Sequence, residues 1–474
     1  MNGTATTCLL IVLTSLCASA FAGAPSRSRY LLLDSRLVSR TQNATLRVGT
    51  VAKHPANPLF VEDQPWEPRF DNLYANVLHD PNEKLYKCWY SPFIIDTACA
   101  ATPHEKRQEV SYRQVQAKLR AEGKWRRVMG ICYATSADGL KWTKPLMDLK
   151  PFDGKPSNLV AVGPHGSGIF RDLEEKDPQR RYKAFFKGGG MSVAFSADGL
   201  RWSDPRPCQG MDVRGDTHNN AFWAPELGRY VGITRTWGGT PRVRQVARAD
   251  SEDFVTWTPA KVVLQGPPEA QTYAMPVFRY ADVYLGLVMV LRPKADRVHC
   301  GLAWSPDTVA WHRIDPNTPL IGNAPKKGAY DWGCVYAAAC PVFLDKEVRL
   351  YYGGSNGPHG DWRDGCLALA TLRPDGFAGY EPTDRGTPAM VWTKPVVCTG
   401  TSLRITADAR TGRVRVGVRA ARGMELEACK PISADVTDAP VTWPAGDLAA
   451  LKGKEVCLTF ELTSAKLYSF RFAD

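Results

Sequence analysis

The run CYATSADGLKW ending at Trp142 returns as VAFSADGLRW ending at Trp202, so a heptad SADGL(K/R)W stands twice in one chain. A near-duplicate of this kind restricts the fold to one built from repeated units. Each copy follows an aromatic-rich run, LYKCWYSPF from Leu85 and RYKAFFKGG from Arg181, so the unit is longer than the heptad. Weaker copies continue as RYVGITRTW with ARADSEDFVTW to Trp257, VYLGLVMVL with GLAWSPDTVAW to Trp311, and VRLYYGGSN with LALATLRPDGF to Phe377. The closing tryptophans at 142, 202, 257 and 311 recur every 54 to 60 positions. That exceeds the roughly 40 to 50 residues of common propeller repeats and leaves room for long loops. Within each unit, apolar and polar residues alternate over short runs bounded by Gly and Asp, as in YKCWY and RLYYGG, which is the period of strands.

Five such units predict an all-β chain in which a five-bladed β-propeller occupies residues 29–385. Radial repetition of small antiparallel sheets limits exposed edges and lines a central funnel with the innermost strands, so function is expected there. The SADG motif itself reads as a hairpin turn, with Asp-Gly supplying positive φ and Ser and Trp packing between units; no chemistry is assigned to it. Before the first unit, RYLLLDSRLVSRTQNATLRVGT holds one or two strands, and KHPANPLF and QPWEPRF approach the axis as Pro-enforced extended chain. The charged stretch 96–127 interrupts the first unit, with a short helix expected over Glu109–Arg120 at the surface or the funnel rim. Beyond Tyr380, the cleanly alternating runs TSLRITADA, GRVRVGVRA, KEVCLTFELTS and KLYSFRFAD predict a C-terminal β-sandwich over 391–474.

The first 22 residues read as a secretory signal peptide, with an apolar run from Cys8 to about Ala20, small-x-small cleavage options at Ala20 and Ala22, and no Lys or Arg ahead of it. No later segment has the length and apolarity of a membrane span. Two of 13 cysteines lie in the leader, and the others show neither CxxC pairs nor zinc spacing; few disulfides are expected. Asn43-Ala-Thr is a glycan acceptor sequon. The net charge of +12 calls for an acidic partner or serves solubility. Its dispersed Lys and Arg form no nucleic-acid module, so an anionic polysaccharide is the better partner for an exported chain and nucleic acid is not expected. Walker, Rossmann and GxSxG signatures and metal-ligand clusters are missing, so neither a cofactor nor a metal is called for.

Polar residues where each inner strand begins occupy unusual positions next to the axis. The first unit offers Arg69, Asp71 and Asn72, the second Asp172, and the third Asp216, His218 and Asn219, with Glu226 in the following hairpin; Tyr273 and Asp331 come from the fourth and fifth. Glycosidic cleavage needs an acid for the departing oxygen and a carboxylate that attacks the anomeric carbon or activates water. Asp71, Asp172 and Asp216 from neighbouring units, if converging, would raise one another's pKa and create that acid.

RFDN followed by YKCWY, FRD followed by YKAFF, and five units in all resemble the five-bladed propeller glycosidases of the invertase, levanase and arabinanase type. The resemblance implies an Asp on the first blade as nucleophile or base, the Asp of an RD pair on the second as stabiliser, and a Glu on the third as acid. Arg171-Asp172 matches the second element; Asp71 matches the first in position only, without the NDPNG motif; the third departs, with Asp216 and Glu226 but no Glu-Cys-Pro. The C-terminal sandwich is similar to the one that follows the propeller in the invertase group. KHPANPLF resembles mannoside phosphorylases, whose propellers bind phosphate with basic residues, and this implies His359 and Arg363 as alternatives to plain rim residues. SADGLKW is similar to the sialidase Asp box Ser-x-Asp-x-Gly-x-x-Trp but lacks one residue, and five units fall short of six; on that reading Arg69, Arg171 and Arg235 hold a carboxylate beside a nucleophilic Tyr273. A non-catalytic carbohydrate-binding propeller, stacking sugars on tryptophans such as Trp237, Trp332 and Trp362, is the remaining alternative. The expectation is an exported glycoside hydrolase with Asp71 as nucleophile or base, Asp172 as stabiliser and Asp216 as acid. Arg69, Asn72, His218, Asn219, Arg235, Tyr273 and Asp331 are expected around the substrate.

Overall fold

In the computed structural model, which describes residues 29–474, the chain is nearly all β; the expected signal peptide, with Cys8 and Cys17, lies outside the described residues. Five antiparallel units follow one another. The first comprises Asn76–Asp80, Leu85–Tyr90, Arg127–Ser136 and Leu159–Val162; the second His165–Arg171, Tyr182–Lys187, Met191–Ser196 and Arg206–Pro207; the third Asn220–Ala224, Arg229–Gly238, Val243–Ser251 and Lys261–Gln265. In the fourth, Gln271–Ala274 and Val277–Tyr280 share the partner Val283–Arg292, followed by Arg297–Ser305 and His312–Ile314. In the fifth, Cys334–Ala337 and Val342–Phe343 both pair with Val348–Ser355, which pairs with Gly365–Leu372.

The repeated motif is a turn, and its wiring recurs in four units. Asp138, Asp198, Asp253 and Asp307 each accept two backbone N–H groups from the residues two and three positions on, and each also accepts from the serine two positions back. The residue after each Asp is left-handed: Gly139 at φ 74°, Gly199 at 77°, Phe254 at 66° and Thr308 at 68°. Glycine is obligatory in the first two copies for a second reason, since a Cβ at Gly139 would lie 2.4 Å from Tyr351 Oη and one at Gly199 2.5 Å from Trp89.

These turns also dock the units on one another. Tyr351 of the fifth unit donates to Gly139 O (2.9 Å), Trp89 of the first to Gly199 O (2.6 Å), Arg180 of the second to Asp253 O (2.6 Å), and Arg248 of the third to Thr308 Oγ1 (2.7 Å). Tyr280 of the fourth donates to Asp375 in the fifth (2.7 Å). Neighbour order therefore runs from the first unit through the fifth and back to the first. Inner strands are stitched by asparagines: Asn76 donates to Ser167 O and accepts from Ile169 N, and Asn220 accepts from Val277 N while donating to Ala339 O.

Two further sheets share one apolar core that includes Leu403, Ile405, Val416, Phe460, Leu467 and Phe470. One runs Ala44–Val48, Ala378–Pro382, Lys466–Ala473, Ser402–Asp408, Asp435–Pro440, and the other Val38–Gln42, Ala389–Thr393, Leu458–Thr463, Arg413–Val418. The strands Tyr30–Leu31, Val38–Gln42 and Ala44–Val48, assigned above to the 29–385 unit, pair instead with Lys466–Ala473, Ala389–Thr393 and Ala378–Pro382. An alternating strand shows which residues face a core but not which core, because its partners are distant in sequence. Ala52–Lys53 and Phe60–Val61 then pair with Gly365–Leu372, so N-terminal chain completes the fifth unit.

The inserted helix is Tyr112–Ala121, later than Glu109–Arg120, because Ser111 is its N-cap: Ser111 Oγ accepts from Gln114 N, and Gln114 Oε1 accepts from Ser111 N. Asn43 Nδ2 donates to Asp384 O and Thr387 O; a glycan on that nitrogen would remove one of these donors. All eleven cysteines among the described residues are free thiols. No helix among the described residues is long and apolar enough to cross a membrane.

Candidate functional site

The loops that lead into the inner strands converge on a cavity of 310 Å³. Arg69, Asp71 and Tyr74 enter from the loop before Asn76–Asp80, His165 from the start of its strand, Asp216 from the loop before Asn220–Ala224, Arg235 and Arg244 from paired strands, and Tyr273 from Gln271–Ala274. His359 comes from the loop between Val348–Ser355 and Gly365–Leu372 of the fifth unit, and Tyr112, Arg113 and Gln116 come from the inserted helix, which forms a wall of the cavity.

Asp71 sits in strained backbone. It, Leu73 and Tyr74 all have left-handed φ, at 57°, 63° and 46°. Such residues cost of order 1–3 kcal/mol each and persist only where surroundings over-determine them. Here Leu73 N bonds Phe70 O, Tyr74 N bonds Asn72 O and Ser91 N bonds Leu73 O. Arg363 Nη2 donates to Asp71 Oδ1 at 2.5 Å, and Arg69 Nε stands 3.4 Å from the same oxygen. Burial alone would raise this carboxyl, but Arg363, then Arg69 and Arg127, outweigh it and hold Asp71 well below the usual carboxylate range. Asp216 is likewise held low against burial by His165, whose Nε2 lies 3.3 Å from its Oδ1, and by Arg235, which bonds its Oδ2. The expectation that converging carboxylates would raise one another is therefore corrected: arginines hold Asp71 low, and His165 and then Arg235 hold Asp216 low.

The other expected residues divide. Arg69, Arg235 and Tyr273 line the cavity. Asn72 lies buried beneath it, its Nδ2 donating to Tyr74 Oη (2.7 Å) and Tyr273 Oη (3.0 Å) while its Oδ1 accepts from Arg363 (3.0 Å). His218 is buried with its ring 5.6 Å from that of Tyr74; neither nitrogen has a well-formed hydrogen bond, and burial pushes the imidazole down to about 4. Asn219 holds the second unit to the third through Gly166 O (2.9 Å).

Asp172 is a correction. The strand His165–Arg171 starts at the cavity and runs away from it; at about 3.3 Å per residue its far end is roughly 20 Å distant. There Asp172 meets buried Lys183 (2.8 Å) and Tyr230 Oη (2.6 Å), and Arg171 meets Asp80 (2.8 Å). Asp331 is also outside, paired with Lys53 (2.5 Å) and Tyr352 Oη (2.9 Å), and Glu226 bonds Arg279 and Tyr284. Sequence reasoning missed His165, Arg127 and Arg244. His165 had a signal, since GPHG opens the second inner strand much as RFDN and DTHNN lead into the first and third. Among the described residues, no group of three or more His, Cys, Asp or Glu is arranged to hold a metal ion.

Glu62 anchors the loop bearing Asp71: its Oε1 accepts from Phe70 N (2.6 Å) and Gly365 N (3.1 Å). Burial pushes its carboxyl up to about 7 despite these two bonds. The folded protein therefore binds the extra proton between the ordinary carboxylate range and about 7, and stability falls as pH rises through that window. Glu62→Gln keeps an acceptor without the charge. Urea unfolding is expected to show no gain at about pH 5 and a gain of about 1–3 kcal/mol at about pH 8. An equal shift at both pH values would show that charge burial is not the cause.

No family model matches the chain, and no curated protein matches it. Similar solved structures include one described as belonging to a mannoside phosphorylase family that contains glycoside hydrolases targeting β-1,2 mannosidic linkages in Candida mannan. It is 14% identical, with 69% of this chain and 94% of that chain covered at a TM-score of 0.45. A glycosyl hydrolase from Bacteroides ovatus is 13% identical over 71% and 97%, at 0.45. An N-acetylgalactosamine deacetylase from F. plautii, in complex with blood group B trisaccharide, is 14% identical over 70% and 96%, at 0.43. The functional reading rests on the cavity itself.

Proposed function

We propose that the five units form a five-bladed propeller, the two remaining sheets a β-sandwich, and that the chain is an exported carbohydrate-active enzyme hydrolysing a glycosidic bond in the cavity. The observation that carries this reading is the meeting of Asp71 and Asp216, from different units, in one cavity with His165 at the start of an inner strand.

An ionised, rigidly held Asp71 suits the nucleophile or base: it either attacks the anomeric carbon or takes a proton from the attacking water as the carbon–oxygen bond breaks. Asp216, also ionised, cannot itself be the acid. It suits the orienting partner of His165, whose imidazole would pass its proton to the departing oxygen. His359 is less suited, because burial and then Arg363 hold it neutral. The buried arginines and Tyr273 would bind and orient the saccharide.

Screening fructans, arabinans, mannosides and sulfated glycans tests the reading. On whichever is cleaved, Asp71→Asn and Asp216→Asn are expected to lower turnover by about 10²- to 10⁴-fold with saccharide binding retained. Wild-type protein that binds a saccharide and cleaves none would sink the hydrolase and favour the non-catalytic propeller.

A further inference from the structure

Arg113 at the cavity pairs with Asp296; the five other guanidinium groups there, those of Arg69, Arg127, Arg235, Arg244 and, beside Asp71, Arg363, face only two carboxylates, Asp71 and Asp216. Arg69 and Arg235 are 3% and 4% exposed, so water does not compensate them. Arg363 is committed to Asp71 and Arg235 to Asp216. Arg244 makes no ion pair among the described residues; its Nη1 donates to the neutral amide of Gln271 (2.8 Å). The Nε atoms of Arg235 and Arg244 are both buried without a hydrogen-bond partner.

These two arginines are side by side for a reason of register. Arg235 and Trp237 lie two apart on one strand and share a face, and Arg244 stands opposite Trp237 on the next. Both guanidinium groups consequently cover Tyr273, at 4.6 and 5.3 Å from its ring centre. Diagonal like charges repel, and while Arg235 has Asp216, the half-buried Arg244 has no carboxylate partner of its own. Burial, and next the neighbouring Arg235, pull the Arg244 guanidinium below its ordinary value, and the more distant Asp216 does not offset them. A surplus of positive charge would also oppose an oxocarbenium-like transition state unless the substrate brought negative charge of its own.

We infer that the saccharide carries an oxyanion, a carboxylate or a sulfate ester, and that Arg235 and Arg244 receive it above Tyr273. This rests on the carbohydrate reading above but not on catalysis, so the test is binding. Uronate-containing and sulfated oligosaccharides, their neutral counterparts, and inorganic phosphate and sulfate are titrated calorimetrically into the wild-type chain and into Arg244→Gln. The charged saccharides are expected to bind at least about tenfold more tightly than the neutral ones, and Arg244→Gln to erase that preference by weakening the charged saccharides at least about tenfold more than the neutral ones. Neutral saccharides binding as well as charged ones, a preference that survives Arg244→Gln, or no binding by any oligosaccharide would overturn the inference. Inorganic ions binding as tightly as the charged sugars would overturn the sugar-borne source. A charged oligosaccharide bound with the expected preference but never cleaved leaves the inference standing and removes the hydrolase; cleavage confined to neutral glycans does the reverse.

Discussion

Replacing Arg363 by methionine is expected to destabilise the protein by about 3–5 kcal/mol, the cost of leaving one partner of a buried ion pair alone. Arg363 is only 5% exposed and bonds Asp71 Oδ1 (2.5 Å), Asn72 Oδ1 (3.0 Å) and the carbonyl of His359 (2.7 Å). Methionine fills much of the volume but donates nothing, so the Asp71 carboxylate would be left with Arg69 at 3.4 Å and the left-handed segment from Asp71 to Tyr74 would lose its clamp. A double-mutant cycle isolates the pair. In an Asp71→Asn background the same Arg363→Met change is expected to cost less by about 1–3 kcal/mol, because no unpaired anion remains. Additive denaturant midpoints would show that Arg363 acts through packing and not through Asp71.

Gly168→Ala is expected to cost about 3 kcal/mol or more. A Cβ there would stand 2.1 Å from Asn219 O and 2.9 Å from Asn220 Cα, where the inner strands of the second and third units pass each other. Both obstacles are backbone, so relief requires separating the two strands, which also strains the bonds from Asn219 to Gly166 and from Asn76 to Ser167 and Ile169. Overpacking by a single methyl typically costs 1–3 kcal/mol where side chains can yield, and here none can. Gly189→Ala in the second unit, where nothing lies within 4 Å of the added methyl, is the control and is expected to be near neutral. Equal unfolding midpoints for the two variants would remove the close approach as a determinant of the fold.

Local wiring was legible in the residues. The SADG heptad announced a repeated turn because serine, aspartate and a left-handed position satisfy backbone donors within a few residues, and Phe254 and Thr308 show that the wiring tolerates loss of glycine. The alternation in LTFELT and SLRITAD likewise told which side chains face inward. Pairing was less legible: the short strands within 30–48 carry no signal that names a partner sheet, and their partners are hundreds of residues away. At the site, Asp71 and Asp216 could be found by asking which polar residues precede inner strands, and the same question would have yielded His165. Asp172 could not be rejected this way, because an Arg-Asp pair reads identically at either end of a strand.

Composition and periodicity by themselves determined an all-β chain of repeated units, since strand period and turn chemistry are properties of neighbouring residues. Only the tertiary structure decided which end of each inner strand faces the cavity, which arginines reach Asp71 and Asp216, and hence that both carboxylates are ionised. Charge state follows from distances between groups brought together by folding, and no spacing along the chain encodes them.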